Sequence, residues 1–280
     1  MVDITQMAKA KSLRALHDTG VLILPNAWDA GSAVVIEQAG AKVIATTSGG
    51  IAWSVGRPDG QRLTRAEMTE HVRRIVAAVD IPVTADVEGG YGPGQEDVEA
   101  TVAAVIAVGA VGLNIEDSQA PGGPLFDVAA QARRLRAARS AAGRAGLPEL
   151  LINARTDVFL FGVGAPEGRL EDVLARSSAY AEVGADSLFV PGLADLDVLT
   201  SLVKASALPV NVMAGPGGPA IAEFESAGVR RVSVGTAISQ AAYSVAQRAA
   251  TELLTKGTYT ELEGALDFGR LNGMFGVAHR

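Results

Sequence analysis

Short apolar runs alternate with longer segments of helical periodicity along most of the 280-residue chain. Most apolar runs are continuous rather than alternating, which is typical of parallel strands buried on both faces. They predict eight strands, at residues 21–25, 42–46, 82–86, 112–116, 151–155, 187–190, 209–212 and 232–235. The segments between them predict eight helices, at residues 31–39, 64–79, 97–108, 128–142, 170–183, 195–204, 219–227 and 236–254.

A repeated junction between helix and strand supports this alternation. The segments E-Q-A-G-A-K-V-I-A, A-V-G-A-V-G-L-N-I, A-E-V-G-A-D-S-L-F and E-S-A-G-V-R-R-V-S each join a helix end, a glycine and the start of a strand. Glycine suits the left-handed position after a helix. Eight such βα units predict an α/β fold, a (β/α)8 TIM-type barrel. A doubly wound sheet is the alternative, but its typical G-x-G-x-x-G turn is replaced here by P-N-A-W-D-A-G-S.

The chain shows no linker or shift in composition that would divide it. We therefore interpret residues 1–280 as a single barrel domain. Residues 7–19 predict an extra N-terminal helix. Residues 258–275 predict extra C-terminal helix, which we expect to pack on a neighbouring subunit.

Composition limits the classes of function. Hydrophobic residues make up 48% of the chain and charged residues 20%, as in globular proteins with a sizeable core. The net charge of −7 disfavours nucleic acids and anionic membranes as partners, because both require a basic surface. Cysteine is absent, which excludes disulfides, zinc–thiolate sites and thiol nucleophiles. The N-terminus lacks an apolar signal core and no run approaches the ~20 apolar residues of a membrane span, so we expect a cytoplasmic protein.

The stretch T-A-D-V-E-G-G-Y-G, residues 84–92, carries the most informative chemistry. Asp86 and Glu88 lie two residues apart at the end of a predicted strand, where side chains at i and i+2 point to the same face. Two neighbouring carboxylates repel each other unless a cation lies between them, and Mg²⁺ prefers oxygen ligands. The pattern therefore favours a magnesium site, with a solvated acidic loop as the alternative.

Other polar residues occupy the C-terminal ends of predicted strands, where barrel enzymes place their active sites. They are Thr47, Ser48, Gly49, Gly50 and Asp59 after the second strand, Glu116 and Asp117 at the end of the fourth, Arg155 at the end of the fifth and Asn211 at the end of the seventh. Asp86 is best placed to touch the metal, and Asp59, Glu88 and Glu116 are expected to hold metal-bound waters. The glycines allow a substrate carboxylate to approach backbone N–H groups.

Arg155 and Asn211 each have two interpretations. Arg155 offers a planar fork for a second anionic group of the substrate, or it forms a structural ion pair with Asp157 or a barrel acid. Asn211 hydrogen-bonds the substrate, or it merely terminates its strand.

Six stretches together form a specific pattern: L-P-N-A-W-D-A-G-S-A (24–33), T-T-S-G-G (46–50), G-R-P-D-G (56–60), T-A-D-V-E-G-G-Y-G (84–92), G-L-N-I-E-D-S (112–118) and I-N-A-R-T-D (152–157). On these stretches the chain resembles the isocitrate lyase/phosphoenolpyruvate mutase superfamily over essentially its whole length. The resemblance implies a (β/α)8 barrel whose last helix is swapped between subunits, in homodimers or homotetramers. It also implies Mg²⁺ or Mn²⁺ as cofactor and small 2-oxo acids as substrates or products. By the same resemblance, Ser48, Gly49, Gly50 and Arg155 bind substrate, and Asp59, Asp86, Glu88 and Glu116 form the metal shell.

The chain departs from the family at the loop after the fourth strand. Family lyases carry a K-[KR]-C-G-H loop there, and phosphonopyruvate enzymes carry lysine and asparagine. Here residues 118–127 read S-Q-A-P-G-G-P-L-F-D, without cysteine, lysine, histidine or asparagine. The phosphonopyruvate enzymes also have a histidine near the end of the sixth strand, where this chain has Val190, Pro191 and Gly192. The residues that bind the metal and the 2-oxo acid in the family are therefore present, while the usual catalytic residues of the loop are absent.

We interpret the chain as a Mg²⁺-dependent carbon–carbon lyase acting on a small 2-oxo or 2-hydroxy dicarboxylic acid. A cation that chelates such an acid stabilises the enolate left when a carbon–carbon bond breaks, by decarboxylation or by retro-aldol cleavage. Arg155 and Glu116 are the candidate catalytic residues. The candidate bases for the retro-aldol route are Glu116, a metal-bound hydroxide and a tyrosine such as Tyr91. One alternative is a phosphonopyruvate mutase or hydrolase. The other is a metal-dependent 2-oxo-acid binding protein with little catalysis.

Overall fold

A parallel β-barrel surrounded by helices makes up the computed structural model, which describes residues 2–276. The strands are β1 (Leu22–Leu24), β2 (Asn26–Ala27), β3 (Ile44–Thr46), β4 (Val83–Asp86), β5 (Gly112–Glu116), β6 (Leu151–Arg155), β7 (Ser187–Phe189), β8 (Val210–Met213) and β9 (Arg231–Ser233). They pair in the order β1-β9-β8-β7-β6-β5-β4-β3-β2, and every pair is parallel.

The first strand closes the barrel in two halves. Its first half, β1, pairs with β9, and its second half, β2, pairs with β3. Pro25 separates them, since proline has no N–H to donate to a ladder. The eight predicted strands are thus present, with residues 21–25 corresponding to β1 and the extra short β2 following it. The (β/α)8 prediction is confirmed.

The helices alternate with the strands around the barrel. They are α1 (Ile4–Leu16), α2 (Ala30–Gln38), α3 (Ser48–Ser54), α4 (Arg65–Ala78), α5 (Gln95–Ala107), α6 (Val128–Arg144), α7 (Arg169–Glu182), α8 (Leu196–Ala205), α9 (Ile221–Ser226), α10 (Ala237–Lys256) and α11 (Phe268–Gly276). Side-chain caps start several of them: Asp29 accepts from the Ser32 N–H, Thr64 from the Glu67 N–H and Asp127 from the Ala130 N–H.

The helices differ from the prediction in two places. Residues 48–54 form α3, which was not among the predicted helices; the Ile51 N–H bonds back to the Thr47 carbonyl and begins a buried turn. The C-terminal segment 258–275 is not one helix, since a 3₁₀ turn at Thr260–Leu262 and an extended stretch precede α11. Among residues 2–276, no helix combines the length and apolar character needed to cross a membrane.

The core lies between the strands and the helices that cover them. The larger apolar cluster includes Leu113, Ile115 and Leu135, and a smaller one beneath α2 and α4 includes Ile44 and Ile75. The strands are therefore held rigidly, and their carboxyl ends present side chains in a fixed arrangement.

Candidate active site

A cavity of about 210 Å³ lies at the carboxyl ends of the strands. Five residues singled out by the sequence line it: Thr47, Ser48, Asp59, Asp86 and Arg155. They come from β4, β6 and the loops around α3, so segments up to about a hundred residues apart meet here only because parallel strands end at the same edge. Carboxylates and a guanidinium thus share one small enclosure.

Asp86 is the last residue of β4 and is 8% exposed. Its Oδ2 accepts a hydrogen bond from the backbone N–H of Ser48 at 3.1 Å, and its Oδ1 accepts from the N–H of Glu88 at 3.3 Å. The Asp86 N–H donates to the Thr46 hydroxyl oxygen at 2.8 Å. These contacts fix the direction in which the carboxylate faces the cavity.

Asp59 and Glu88 flank Asp86 as further acids. Burial, followed by repulsion from Asp86, raises the pKa of Asp59 above its usual value. The same two causes, in the same order, raise the pKa of Glu88 to about 7. Glu88 accepts a hydrogen bond from the Tyr91 hydroxyl at 3.0 Å and another from the Gln61 N–H. The three carboxylates therefore lie close enough for each to sense the charge of the next.

Contrary to the prediction from the sequence, Asp86 and Glu88 do not share one face of an extended strand. β4 ends at Asp86, and Glu88 has φ of 49°, in the left-handed region that non-glycine residues seldom occupy. The two side chains still converge, because the turn after β4 directs the Glu88 N–H onto Asp86. A strained turn, rather than strand periodicity, brings them together.

Arg155 ends β6 and joins two buried acids. Its Nη1 lies 2.9 Å from Glu116 Oε2, and its Nε and Nη2 lie 2.6 and 3.3 Å from the two carboxylate oxygens of Asp157. Burial raises the pKa of Glu116 well above its usual value, although Arg155 opposes this. Of the five guanidinium N–H bonds, one on each Nη is left for a ligand. The structural ion pair considered for Arg155 is present, and the side chain also lines the cavity.

The first turn of α3 lies against the cavity wall and depends on its glycines. A Cβ at Gly49 would lie 2.8 Å from Thr236 Cγ2, and one at Gly50 would lie 2.8 Å from Trp28 Cβ. Neither position has room for a side chain, since carbon atoms do not approach so closely without displacement. The glycines therefore allow α3 to pack at this edge of the barrel.

Asn211 lies away from the cavity. It is fully buried inside the barrel, where its Oδ1 accepts from Asn153 Nδ2 at 2.9 Å and its Nδ2 donates to the Arg231 carbonyl at 3.1 Å. These contacts use its amide within the protein, so the structure places Asn211 as a strand residue rather than beside Ser48 and Arg155. Glu88, Glu116, Gly49 and Gly50 are not among the residues that line the cavity.

Sequence reasoning missed several polar residues of the lining, namely Asn26, Asn114, Arg231, Ser233 and Thr236. Arg231 is the most informative of them, because it is 1% exposed. The predicted strand began one residue later, at 232, whereas β9 begins at Arg231. A signal was available: Arg231 and Ser233 share one face of a strand, and barrel interiors are usually filled by branched apolar residues.

The loop at residues 118–127 packs against the segment that carries Asp59. A Cβ at Gly60 would lie 2.0 Å from Pro121 Cγ, so the proline ring packs directly against the backbone of Gly60. The Ser118 hydroxyl donates to Asp157 at 2.5 Å, and Ser118 pairs with Leu125 across the loop. The loop is thus tied to the Arg155–Asp157 pair at one end and rests on the cavity rim at the other.

The donor set fits a hard cation of the kind that the resemblance implies. Asp86, Asp59 and Glu88 supply only oxygen atoms, and their mutual repulsion is the kind that a divalent ion relieves. Within residues 2–276, no three acidic, histidine or cysteine side chains converge closely enough to ligate one ion directly. The arrangement therefore suits an ion that Asp86 touches and that Asp59, Glu88 and Glu116 reach through water, as Mg²⁺ commonly binds.

Comparisons with known proteins identify several that this chain resembles. The family model of phosphoenolpyruvate phosphomutase matches residues 13–254. Uncharacterized protein Rv1998c of Mycobacterium tuberculosis is 34% identical over 91% of this chain and 96% of its own length. An oxaloacetate decarboxylase of Rhodopseudomonas palustris is 32% identical over 71% of this chain and 67% of its own. A crystal structure from Burkholderia cenocepacia J2315, which carries the provisional name of a lyase/mutase, is 38% identical, covers 98% of this chain and 97% of its own, and has a TM-score of 0.90.

Proposed function

Because the chain belongs to the phosphoenolpyruvate phosphomutase family, within the isocitrate lyase/phosphoenolpyruvate mutase superfamily, we propose that it is a divalent-metal-dependent carbon–carbon lyase. Its substrate is a small 2-oxo or 2-hydroxy dicarboxylic acid, cleaved by retro-aldol reaction or by decarboxylation. One observation carries the proposal: the 210 Å³ cavity is lined by Asp86, Asp59 and Arg155 together. A small acid chelated to a metal ion requires oxygen ligands for the ion and a guanidinium for its own negative charge.

Asp86 would hold the cation directly, with Asp59, Glu88 and Glu116 binding its waters. When bound, the ion polarises the 2-oxo group and stabilises the negative charge that develops as the carbon–carbon bond breaks. The chain's own groups position the substrate around it. Arg155 donates its two free N–H bonds to an anionic group, and its ion pairs with Glu116 and Asp157 keep the guanidinium from rotating.

Glu116 is the group that holds or moves a proton at this site. Its pKa is raised, with burial as the largest cause, and a raised pKa makes a carboxylate a better proton acceptor near neutral pH. In the retro-aldol route Glu116 accepts the proton of the substrate hydroxyl. In decarboxylation no proton is removed, and the carbon left behind takes one afterwards. Among the described residues, the cavity lining contains no histidine, lysine or tyrosine, and its two acids, Asp59 and Asp86, are assigned to the cation. Glu116 lies next to the lining residue Arg155 and is the acid we assign to carry the proton.

Loss of substrate with release of a 2-oxo acid tests the proposal. The full-length protein with Mg²⁺ is incubated with C4–C6 2-oxo and 2-hydroxy dicarboxylic acids, and pyruvate and glyoxylate are followed against a Mg²⁺-only control. We expect turnover of at least one acid. Asp86→Ala should abolish it, whereas Asp80→Ala, an exposed acid outside the cavity, should not.

The outcomes separate the alternatives. Turnover of phosphonopyruvate alone would replace the proposal with a phosphorus–carbon enzyme. Metal-dependent thermal stabilisation by oxalate or 2-oxoglutarate, without product from any acid, would identify a binding protein instead.

We also propose that the protein is a homodimer or homotetramer built on its C-terminal segment. Within α10, only Ser239, Ala249 and Glu252 are buried, and Leu254 and Phe268 are 88% and 85% exposed. Apolar surface of this extent on one segment is typical of an interface. A second copy of the chain that contributes or receives α10 would cover this apolar surface. Light scattering coupled to size-exclusion chromatography measures the mass of the oligomer.

A further inference from the structure

Arg231 is a buried cation whose charge the protein leaves unmatched. It is the first residue of β9, is 1% exposed and lines the cavity. Its Nη2 donates to Asn114 Oδ1 at 3.2 Å. Its Nε and Nη1 have no hydrogen-bond partner among the described residues.

The other two buried arginines of residues 2–276, Arg134 and Arg176, have no buried nitrogen that lacks a hydrogen-bond partner. Arg176 lies 2.9 Å from a carboxylate oxygen of Asp117 and also contacts Asp172. Arg134 donates to several backbone carbonyls of the turn after β4, at Gly89, Gly92 and Pro93. By contrast, Arg231 has a single neutral amide as its acceptor. A buried guanidinium without a counter-charge is unfavourable, so the unused N–H groups indicate a position where an anion binds.

Neighbouring groups do not supply that anion. Among the described residues, Arg231 forms no direct ion pair. The one acid whose charge acts on it is Asp86, which also lines the cavity and already accepts two backbone N–H bonds. His17 approaches from the end of α1, but burial and then the Arg231 charge lower its pKa to about 4, which leaves it neutral. Arg231 lines the cavity, so an anion bound there is the counter-charge that these neighbouring groups do not provide.

We propose that Arg231 binds the second carboxylate of the substrate and makes the cavity selective for dicarboxylic over monocarboxylic acids. This rests on the proposed function, in which the carboxylate and oxygen at the reacting end are held near Asp86 and Arg155. The distal carboxylate then lies against Nε or Nη1 of Arg231, where charge-assisted hydrogen bonds form in a water-poor site. A monocarboxylic acid leaves the same N–H groups unpaired and binds less tightly.

Matched pairs of acids test this without any need for turnover. Calorimetry on the Mg²⁺-loaded protein compares 2-oxoglutarate with 2-oxopentanoate and malate with 2-hydroxybutyrate, which differ in the distal carboxylate. We expect the wild-type protein to prefer the dicarboxylic acid by at least about tenfold. In Arg231→Gln this ratio should fall to within about threefold while the monocarboxylic acid binds as before, and Arg231→Lys should recover part of it.

Arg139→Gln is the matched control. Arg139 is a partly buried arginine that pairs with Asp186 outside the cavity, so its loss should lower thermal stability and leave the ratio unchanged. A wild-type protein that binds both members of each pair equally would overturn the proposal, as would an Arg231→Gln protein that keeps the full preference. If Arg231→Gln fails to fold, the preference of the wild-type protein for dicarboxylic acids and the reduced preference expected of Arg231→Lys test the proposal instead. Turnover of a 2-oxo acid without this selectivity would refute the role of Arg231 and leave the proposed function intact.

Discussion

The carboxyl group of Glu88 offers a quantitative test of the electrostatics of the acid cluster. Glu88 is 6% exposed, and burial followed by repulsion from Asp86 raises its pKa from 4.5 to about 7. The perturbation is Glu88→Gln, which removes the charge and keeps the shape. Glutamine retains one acceptor oxygen for the Gln61 N–H and the Tyr91 hydroxyl, so one of the two hydrogen bonds is weakened at every pH.

The magnitude follows from linkage between protonation and folding. Each pKa unit corresponds to about 1.4 kcal/mol, so the change from 4.5 to about 7 corresponds to about 3 kcal/mol. Because the folded-state pKa is the higher one, this stability is fully present below pH 4.5 and is lost as the pH rises through about 7. The metal-free wild-type protein should therefore lose stability relative to Glu88→Gln between pH 5 and pH 8.

Thermal unfolding in the presence of a chelator measures the effect. At about 2 °C per kcal/mol for a chain of this length, the wild-type midpoint should fall by about 5 °C relative to the variant from pH 5 to pH 8. Glu67→Gln is the control, since Glu67 is exposed and its pKa is lowered to about 2, chiefly by Arg57. Its contribution is lost only as the pH falls through about 2, so this variant should show no change in the same window.

A wild-type minus Glu88→Gln difference that stays constant from pH 5 to pH 8 would refute the reasoning. Excess Mg²⁺ should suppress the pH dependence, because a bound cation favours the ionised carboxylate. A dependence that survives saturating Mg²⁺ would contradict the assignment of Glu88 to the metal shell.

Two further substitutions test the packing around the cavity. Arg155→Ala leaves Asp157 buried without its guanidinium, and we expect a loss of about 3–5 kcal/mol, measured as a fall of about 6–10 °C in the thermal midpoint; a fall below about 2 °C would contradict it. Gly49→Ala places a Cβ 2.8 Å from Thr236 Cγ2, and we expect it to cost about 1–3 kcal/mol, read from the urea midpoint; an unchanged midpoint would show that α3 moves freely.

The architecture of the protein could be predicted from its sequence alone. Parallel strands covered on both faces must be continuously apolar, so eight such runs separated by helical segments were sufficient to predict the barrel. It also located the cavity, because parallel strands end at a common edge and the acids Asp86 and Glu116 stand at two of those ends. Both predictions rest on patterns of a few neighbouring residues. The common direction of the strands then places their carboxyl ends at one edge of the barrel.

Which polar groups meet at the cavity became clear only from the folded structure. Glu88 reaches Asp86 through a left-handed turn, and a sequence pattern carries no such dihedral angle. Asn211 is buried inside the barrel, where its Oδ1 accepts a hydrogen bond from Asn153 Nδ2 two strands away. Arg231, at the start of β9, lines the cavity instead. The physical reason is that register and barrel stagger set these contacts, and both depend on how distant strands pair rather than on the residues of any one of them.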